Sequence, residues 1–327
     1  MENNINEVES VTNDIKSDTT EDRIEVSQKL NSAISEEQFT KTLNQWSSRY
    51  TPEYLEELSK KCYEDDRNYP ENFSNWYNHI VDFGNFRNAN VISNQIFTYE
   101  ETEIMRETDI MDKVDWDKIN LILKPTLDVM ENREVYSIKN GAFSNKFDFM
   151  TSLASKKDLA KQLWMINYNS AMYDTGGYTE LVVREYIPFD SYKIPTIYNG
   201  MPLREEIRVF YNMDTKQIEY MVDYWDYEYC EPNIRNKSDN IIFNWFHNKY
   251  GDRKSNHNNM LEALKLQISK DIDTLKFDDK LKGVWSIDFM NVNDVEDYKG
   301  IWLIDMARAH RSAYYDSAKL SGGKNNE

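Results

Sequence analysis

The chain has 327 residues, 57 acidic against 39 basic side chains for a net charge of −18, 13% aromatic residues and two cysteines; that length suggests two or three domains or subdomains at roughly 100–200 residues each. No run approaches the roughly 18 consecutive apolar residues of a membrane helix, and the acidic start MENNINEVESVTNDIKSD lacks the features of a signal peptide, so the expectation is a cytoplasmic protein with no membrane partner. Cys62 and Cys230 stand far apart and outside any CxxC pair, which excludes a disulfide framework and a cysteine-built zinc site.

Residues 1–35 are rich in Glu, Asp, Asn, Ser and Thr with no aromatic side chain, and read as a disordered acidic tail. Residues 36–89 read as a helical N-terminal region, from apolar recurrence at Phe39, Leu43 and Trp46 and at Tyr54, Leu55, Leu58 and Cys62, with Thr51-Pro52-Glu53 as a helix start. A strand follows over 91–97, then a helix whose Thr98 and Glu101 form a capping box, then a helix over 114–130. Strands are expected at 135–139, 179–187, 206–211, 218–225, 284–289 and 301–306, with helices over 156–172 and 258–275. The whole is an α+β protein with a large, mostly antiparallel sheet late in the chain.

Residues 1–130 hold 27 acidic against 13 basic side chains, whereas residues 131–200 hold eight of each. Bulk charge therefore argues against nonspecific nucleic-acid binding, while the neutral middle leaves room for a local phosphate pocket. There is no GxxxxGK[ST] loop, no GxGxxG after a strand and no GxSxG elbow, and none of the four histidines (His79, His247, His257, His310) pairs with another at i, i+4.

What remains is a set of charges inside otherwise apolar strands. Lys139 ends VYSIK, Lys146 lies in the loop NGAFSNK, Arg184 and Glu185 interrupt LVVREYI, Glu206 and Arg208 interrupt EEIRVF, and Asp288 and Asp305 interrupt VWSIDFM and IWLIDM. Ionised groups on a buried face need a partner, a ligand or a metal. Cations to neutralise phosphate oxygens and carboxylates to hold magnesium are what ATP with Mg²⁺ requires. Taken singly, each charge also has an ordinary reading: a strand end for Lys139, Asp288 and Asp305, an exposed strand face for Glu206 and Arg208. Asp223, Trp225 and Asp226 read either as a partly buried aromatic strand or as substrate contacts.

In the order lysine loop, hinge, EEIRVF, Asp strand, Asp strand, residues 90–316 resemble the ATP-grasp superfamily, in which two α+β subdomains hold a nucleotide between them. The resemblance is carried by YSIKNGAFSNKFDF, ELVVREYIPF, REEIRVFYNMDTKQIEYMVDYWD, VWSIDFM and GIWLIDMA. It is closest to the divergent branch keyed on one arginine and two lysines. The order is also similar to that of the eukaryotic cell-division-cycle ATP-grasp proteins that help assemble a translation initiation factor. The resemblance implies a leading subdomain over 90–132, a lysine-loop subdomain and hinge over 133–187 and a metal-binding subdomain over 188–316; residues 317–327, beyond it, read as a flexible tail.

It further implies that Lys139 contacts the α-phosphate and Lys146 the β- and γ-phosphates from a loop that can close. Backbone groups of Glu185, Tyr186 and Ile187 read adenine beside Arg184, Arg208 lies at the γ-phosphate, and Asp288 and Asp305 ligate Mg²⁺. The family commonly has an Asn two residues after the last acid; here Ala307 stands there, leaving Asn291 or another group to complete the second metal. Arg308, His310 and Arg311 are candidates to bind an anionic acceptor. The implied activity is an ATP-dependent ligase that activates an acceptor by phosphoryl transfer, of the carboxylate–amine type, with a small-molecule, peptide or RNA acceptor. The alternatives are an ATP-grasp RNA ligase, a non-catalytic ATP-binding assembly factor with a protein partner at the N-terminal region, and a structural protein whose charges form ion pairs.

Overall fold

The computed structural model describes residue 41 and residues 50–316, apart from 108–109, 133, 144, 174–177 and 250–253. The expected acidic tail, the helix expected through Phe39, Leu43 and Trp46, and the expected C-terminal tail lie outside the described residues. The chain divides into compact units at Cys62/Tyr63. In the first, the described part is the start of a helix, α1 (Pro52–Arg67), where the Thr51 hydroxyl accepts the Tyr54 N–H at 3.2 Å and Glu56 pairs with Lys60.

The second unit is α+β. In chain order it contains a helical turn Phe73–Trp76, β1 (Ile80–Asp82), β2 (Arg87–Asn88), β3 (Val91–Ile96), α2 (Tyr99–Arg106), α3 (Trp116–Ile122), α4 (Lys124–Val129), β4 (Val135–Lys139) and β5 (Leu153–Ser155). There follow α5 (Leu159–Met172), β6 (Glu180–Glu185), β7 (Thr196–Ile197), β8 (Met201–Pro202), β9 (Glu206–Asn212) and β10 (Gln217–Asp223). The chain closes with α6 (Lys237–Lys249), α7 (Lys254–Asp271), β11 (Lys276–Phe277), β12 (Val284–Val292) and β13 (Gly300–Arg308). Among the described residues no helix is long and apolar enough to cross a membrane.

Local chemistry accounts for several of these elements. Thr98 accepts the Glu101 N–H and Glu101 returns a bond to the Thr98 N–H at 2.8 Å, the reciprocal box that starts α2. The single helix expected over 114–130 is instead α3 and α4, because Pro125 cannot continue the hydrogen-bond ladder and a new helix starts around it.

Two sheets carry the fold. The first has the order β3-β6-β4-β5 and the second β10-β9-β12-β13-β2, all pairs antiparallel except β13 with β2. Residues 73–88, expected within the helical N-terminal region, include strands and pack with the later sheet: Phe73, Trp76 and Phe86 lie in its core, and β2 is its edge. The 89/90 boundary therefore does not coincide with a break in packing.

Each sheet has one apolar face. In the first, Ile138, Leu181 and Val183 bury against Leu159, Leu163 and Ile166 of α5. In the second, Ile207, Val209, Ile287 and Phe289 bury against Leu261, Leu264 and Ile268 of α7, spaced i, i+3, i+7 along one helix face. Side chains alternate along a strand. The opposite faces therefore carry Ser137, Lys139, Glu180, Val182 and Arg184 on one sheet and Glu206, Arg208, Ser286, Asp288 and Asp305 on the other.

Candidate functional site

The two charged faces meet. Lys139, at the end of β4, donates to Asp305 of β13 at 3.0 Å, and Arg184 of β6 donates to the Ile304 carbonyl at 2.9 Å. On the second sheet Arg208, Asp288 and Asp305 are direct cross-strand partners on β9, β12 and β13, so three charges stand in one row. Arg208 grips Asp288 with two bonds of 2.7 Å, both side chains 10% exposed or less. Burial works against the Arg208 charge, but the Asp288 carboxylate more than offsets it and holds the guanidinium well above its ordinary value.

The register explains why Asp305 reaches this face. Asp288 pairs with Asp305 but Phe289 pairs with Leu303, so Ile304 is an extra residue in β13, a bulge that keeps Leu303 and Met306 in the core while turning Asp305 the other way. Asn291 does not share that face. β12 is regular against β9, and position 291 falls on the side of Ile287 and Phe289, away from Asp288, so it does not stand in for the side chain missing at Ala307. Glu206 does lie on the charged face. It is fully buried with neither carboxyl oxygen bonded, and burial, followed by repulsion from Asp288, pushes its pKa up to about 8. The Lys146 ammonium, the nearby Trp225 indole N–H and the Arg208 guanidinium favour the charged form but do not offset burial.

Lys146 opens a short 3₁₀ stretch kinked at Asp148, after a turn in which Gly141 takes φ +53°. Its ammonium donates to the Tyr224 hydroxyl at 2.9 Å, which pushes the lysine upward; Arg208 lies over the same Tyr224 ring, 4.8 Å from its centre. The stretch is anchored by its backbone, Phe149 N–H to Tyr198 O at 2.9 Å and Met150 N–H to Asn199 O at 3.2 Å. Arg184 lies 5.6 Å from the Phe73 ring, and burial lowers its pKa against the opposing pull of Asp305 and Tyr77.

Where β6 ends, at the segment expected to act as a hinge, a cleft of about 440 Å³ is lined by Glu185, Tyr186, Pro188, Asn90, Tyr136 and neighbours. Tyr136 is three residues before Lys139 on β4, about 10 Å along a strand. The Glu185 N–H bonds to Asn90 O at 2.8 Å, and Ile187 packs with Met290 and Trp302. Of the backbone donors expected to read a base here, that of Glu185 is thus already engaged. Arg308, His310 and Arg311 are exposed at the end of β13; Arg311 lies over the Tyr69 ring and the Arg308 N–H bonds to Glu71.

Three features escape a reading of the sequence. Arg204, not Arg208 alone, is a buried cation of its segment: it pairs with Asp294 at 2.8 Å with 1% and 2% exposure and also donates to Pro188 O at 2.7 Å, tying the chain after β6 to the loop after β12. Glu180, fully buried, takes the Ser74 N–H at 3.3 Å beside Asn72 and Gly141. Tyr224 joins Lys146 to Arg208. The pairs 204–294 and 74–180 are so far apart in the chain that no periodicity links them; an unpaired charge next to a hydrophobic strand was the available signal.

Among the described residues no three His, Cys, Asp or Glu side chains are grouped to hold a metal by themselves. No protein-family model matches the sequence, and neither does any curated protein.

Proposed function

We propose that the protein is an ATP- and magnesium-dependent ligase of the ATP-grasp kind, which activates an acceptor carboxylate by phosphoryl transfer and joins it to an amine. The observation that carries this reading is the meeting of two charged sheet faces, with Lys139, Arg184, Arg208 and Lys146 gathered around Asp288 and Asp305. Phosphoryl transfer asks for positioning and charge neutralisation more than for a protein nucleophile, and this is a set of positioned charges.

The donor set fits magnesium with a nucleotide. Asp288 and Asp305 are hard oxygen ligands on adjacent strands, and magnesium is commonly held by one or two carboxylates with phosphates completing its shell. Bound there, it would neutralise charge across the β- and γ-phosphates. The cations paired with those carboxylates, Lys139 and Arg208, would turn to phosphate oxygens, so that ion pairs become ligand contacts. The hinge cleft by Tyr186 would take the base, Lys139 the near phosphates, and Lys146 and Arg208 the terminal one.

Thermal denaturation with magnesium ATP, ATP alone and magnesium GTP tests this, since a ligand that binds only the folded state raises apparent stability. A magnesium-dependent, adenine-selective rise is expected, absent in Lys139→Ala and Asp305→Asn; no rise with any nucleotide overturns the reading. Ala307 and the paired state of both carboxylates favour a second reading, an ATP-binding assembly factor without turnover. Tight ATP binding with no ADP or AMP release in the presence of any acceptor would select it.

A further inference from the structure

A cavity of about 670 Å³ opens beside Lys146 and Arg208, at the end of the charged row away from the hinge cleft. That volume suits a small organic ligand. Of its sixteen lining residues seven are aromatic and none is Leu, Ile, Val or Met. Its aromatic walls come from separate segments: Phe147 and Tyr198 meet edge to face at 5.2 Å, and Tyr229 and Tyr314 lie 4.3 Å apart. The lining has three cations, Lys146, Arg208 and Arg235, against one carboxylate, Asp239, which is engaged by the Tyr198 N–H at 3.0 Å. Arg235 is exposed and has no hydrogen-bond or ion-pair partner among the described residues. With Arg208 balanced by Asp288 behind it, Lys146 and Arg235 still outnumber Asp239, a local positive excess in a chain of net charge −18.

Backbone strain converges on the same place. Among the described residues four non-glycine residues take positive φ, and three of them, Tyr198 (50°), Asn199 (56°) and Tyr314 (68°), line this cavity. A bulky side chain pays a steric penalty in that region, and such strain collects where side chains are held for a ligand. Here it is maintained by the bonds that Phe149, Met150 and Asp239 make to the 198–199 backbone.

We propose that this cavity is the acceptor site and takes a small aromatic carboxylate, its ring among the tyrosines and its carboxylate toward Lys146 and Arg208. The assignment rests on the ligase reading. Aromatic walls without aliphatic ones favour a flat ring over an alkyl chain, and the two inner cations are those that also serve the terminal phosphate. In the step this allows, a carboxylate oxygen bonds to the γ-phosphorus as the bond from that phosphorus to the β–γ bridging oxygen breaks. ADP leaves with the electron pair. An amine then bonds to the acyl carbon, phosphate departs, and the amine nitrogen loses a proton to give the amide.

The test is binding of 4-hydroxyphenylacetate and indole-3-acetate to the full chain, with cyclohexylacetate lacking the aromatic ring and 4-hydroxybenzyl alcohol lacking the anion. Thermal shift and quenching of tryptophan fluorescence, to which Trp225 in the wall contributes, are the readouts. Both aromatic acids should bind about tenfold or more tightly than either control, and Arg235→Gln, which removes an exposed positive charge from the lining without touching the carboxylate site at Lys146 and Arg208, should weaken them about fivefold or more by lowering the positive potential of the cavity. Equal binding of acids and controls, or affinity unchanged in both Arg235→Gln and Tyr229→Ala, overturns the proposal; so does a hexauridylate that binds where the acids do not. Stabilisation by magnesium ATP without binding of any aromatic acid removes the acceptor assignment alone. Binding of the acids with no response to magnesium ATP removes the ligase reading and keeps the ligand class of the cavity.

Discussion

Asp305 of the later sheet accepts the ammonium of Lys139 from the earlier one at 3.0 Å, with Lys139 6% and Asp305 29% exposed. The pair joins two sheets whose other faces are separate apolar cores. Asp305→Asn keeps the size and removes the charge, leaving a buried ammonium with a neutral partner; a loss of about 1–3 kcal/mol in urea unfolding is expected, below the range for a fully buried pair because Asp305 is partly solvated. Adding Lys139→Met should recover most of that loss. If the double variant is as unstable as the sum of the single ones, the pair is not an interaction between the sheets.

Arg208 and Asp288 form the tighter couple, two-pronged and nearly dry. Asp288→Asn should cost about 3–5 kcal/mol, because Arg208 would be left charged and buried. Arg208→Lys should be almost as damaging, since one ammonium cannot match both carboxylate oxygens. A full chemical-denaturation curve for each variant, with unchanged slope, decides this.

Glu206 sets a pH signature. Its pKa is near 8 in the folded protein against an ordinary carboxylate value when unfolded, so between those values the folded state binds the extra proton. Stability from this group is complete at low pH and is lost as pH rises through about 8, at up to about 1.4 kcal/mol per pH unit. Asp223, raised by burial to about 6, titrates below the upper part of that window. Between pH 6.5 and 8.5 the melting temperature should fall in the wild type, while Glu206→Gln should flatten the fall and be the more stable protein at the alkaline end. A parallel decline in both proteins would falsify the assignment.

Asp294 holds the segment after β6 from two sides, by its ion pair with Arg204 and by accepting the Asp190 N–H at 2.9 Å. Asp294→Ala should cost about 3–5 kcal/mol for the buried guanidinium left behind. It should also raise hydrogen exchange locally around 188–194; exchange raised uniformly would mean that the pair stabilises the fold without fixing that segment.

Much of the architecture was legible because alternation of apolar and polar residues is what a half-buried strand requires: β3, β4, β6, β9 and β10 lie within a few residues of expectation. The charges at 139, 184, 208, 288 and 305 stood out for the same reason, as breaks in apolar runs, and the fold does gather them. What could not be read was which charge answers which. Lys139 with Asp305 and Arg204 with Asp294 are pairings across sheets or loops, set by tertiary packing rather than by spacing. Nor did periodicity give the role of Phe73–Trp76, whose helical start belongs to the core of a sheet formed some 130 residues later.

The extra residue at Ile304 has one more implication. Arg184 bonds to its main-chain carbonyl, an atom every amino acid provides. Variation of the side chain there should be tolerated as far as packing with Met290 and Trp302 allows, whereas loss of the residue would restore an even ladder and withdraw the carbonyl. The position is constrained in length rather than in identity: a library of substitutions at 304 should pass where a one-codon deletion fails.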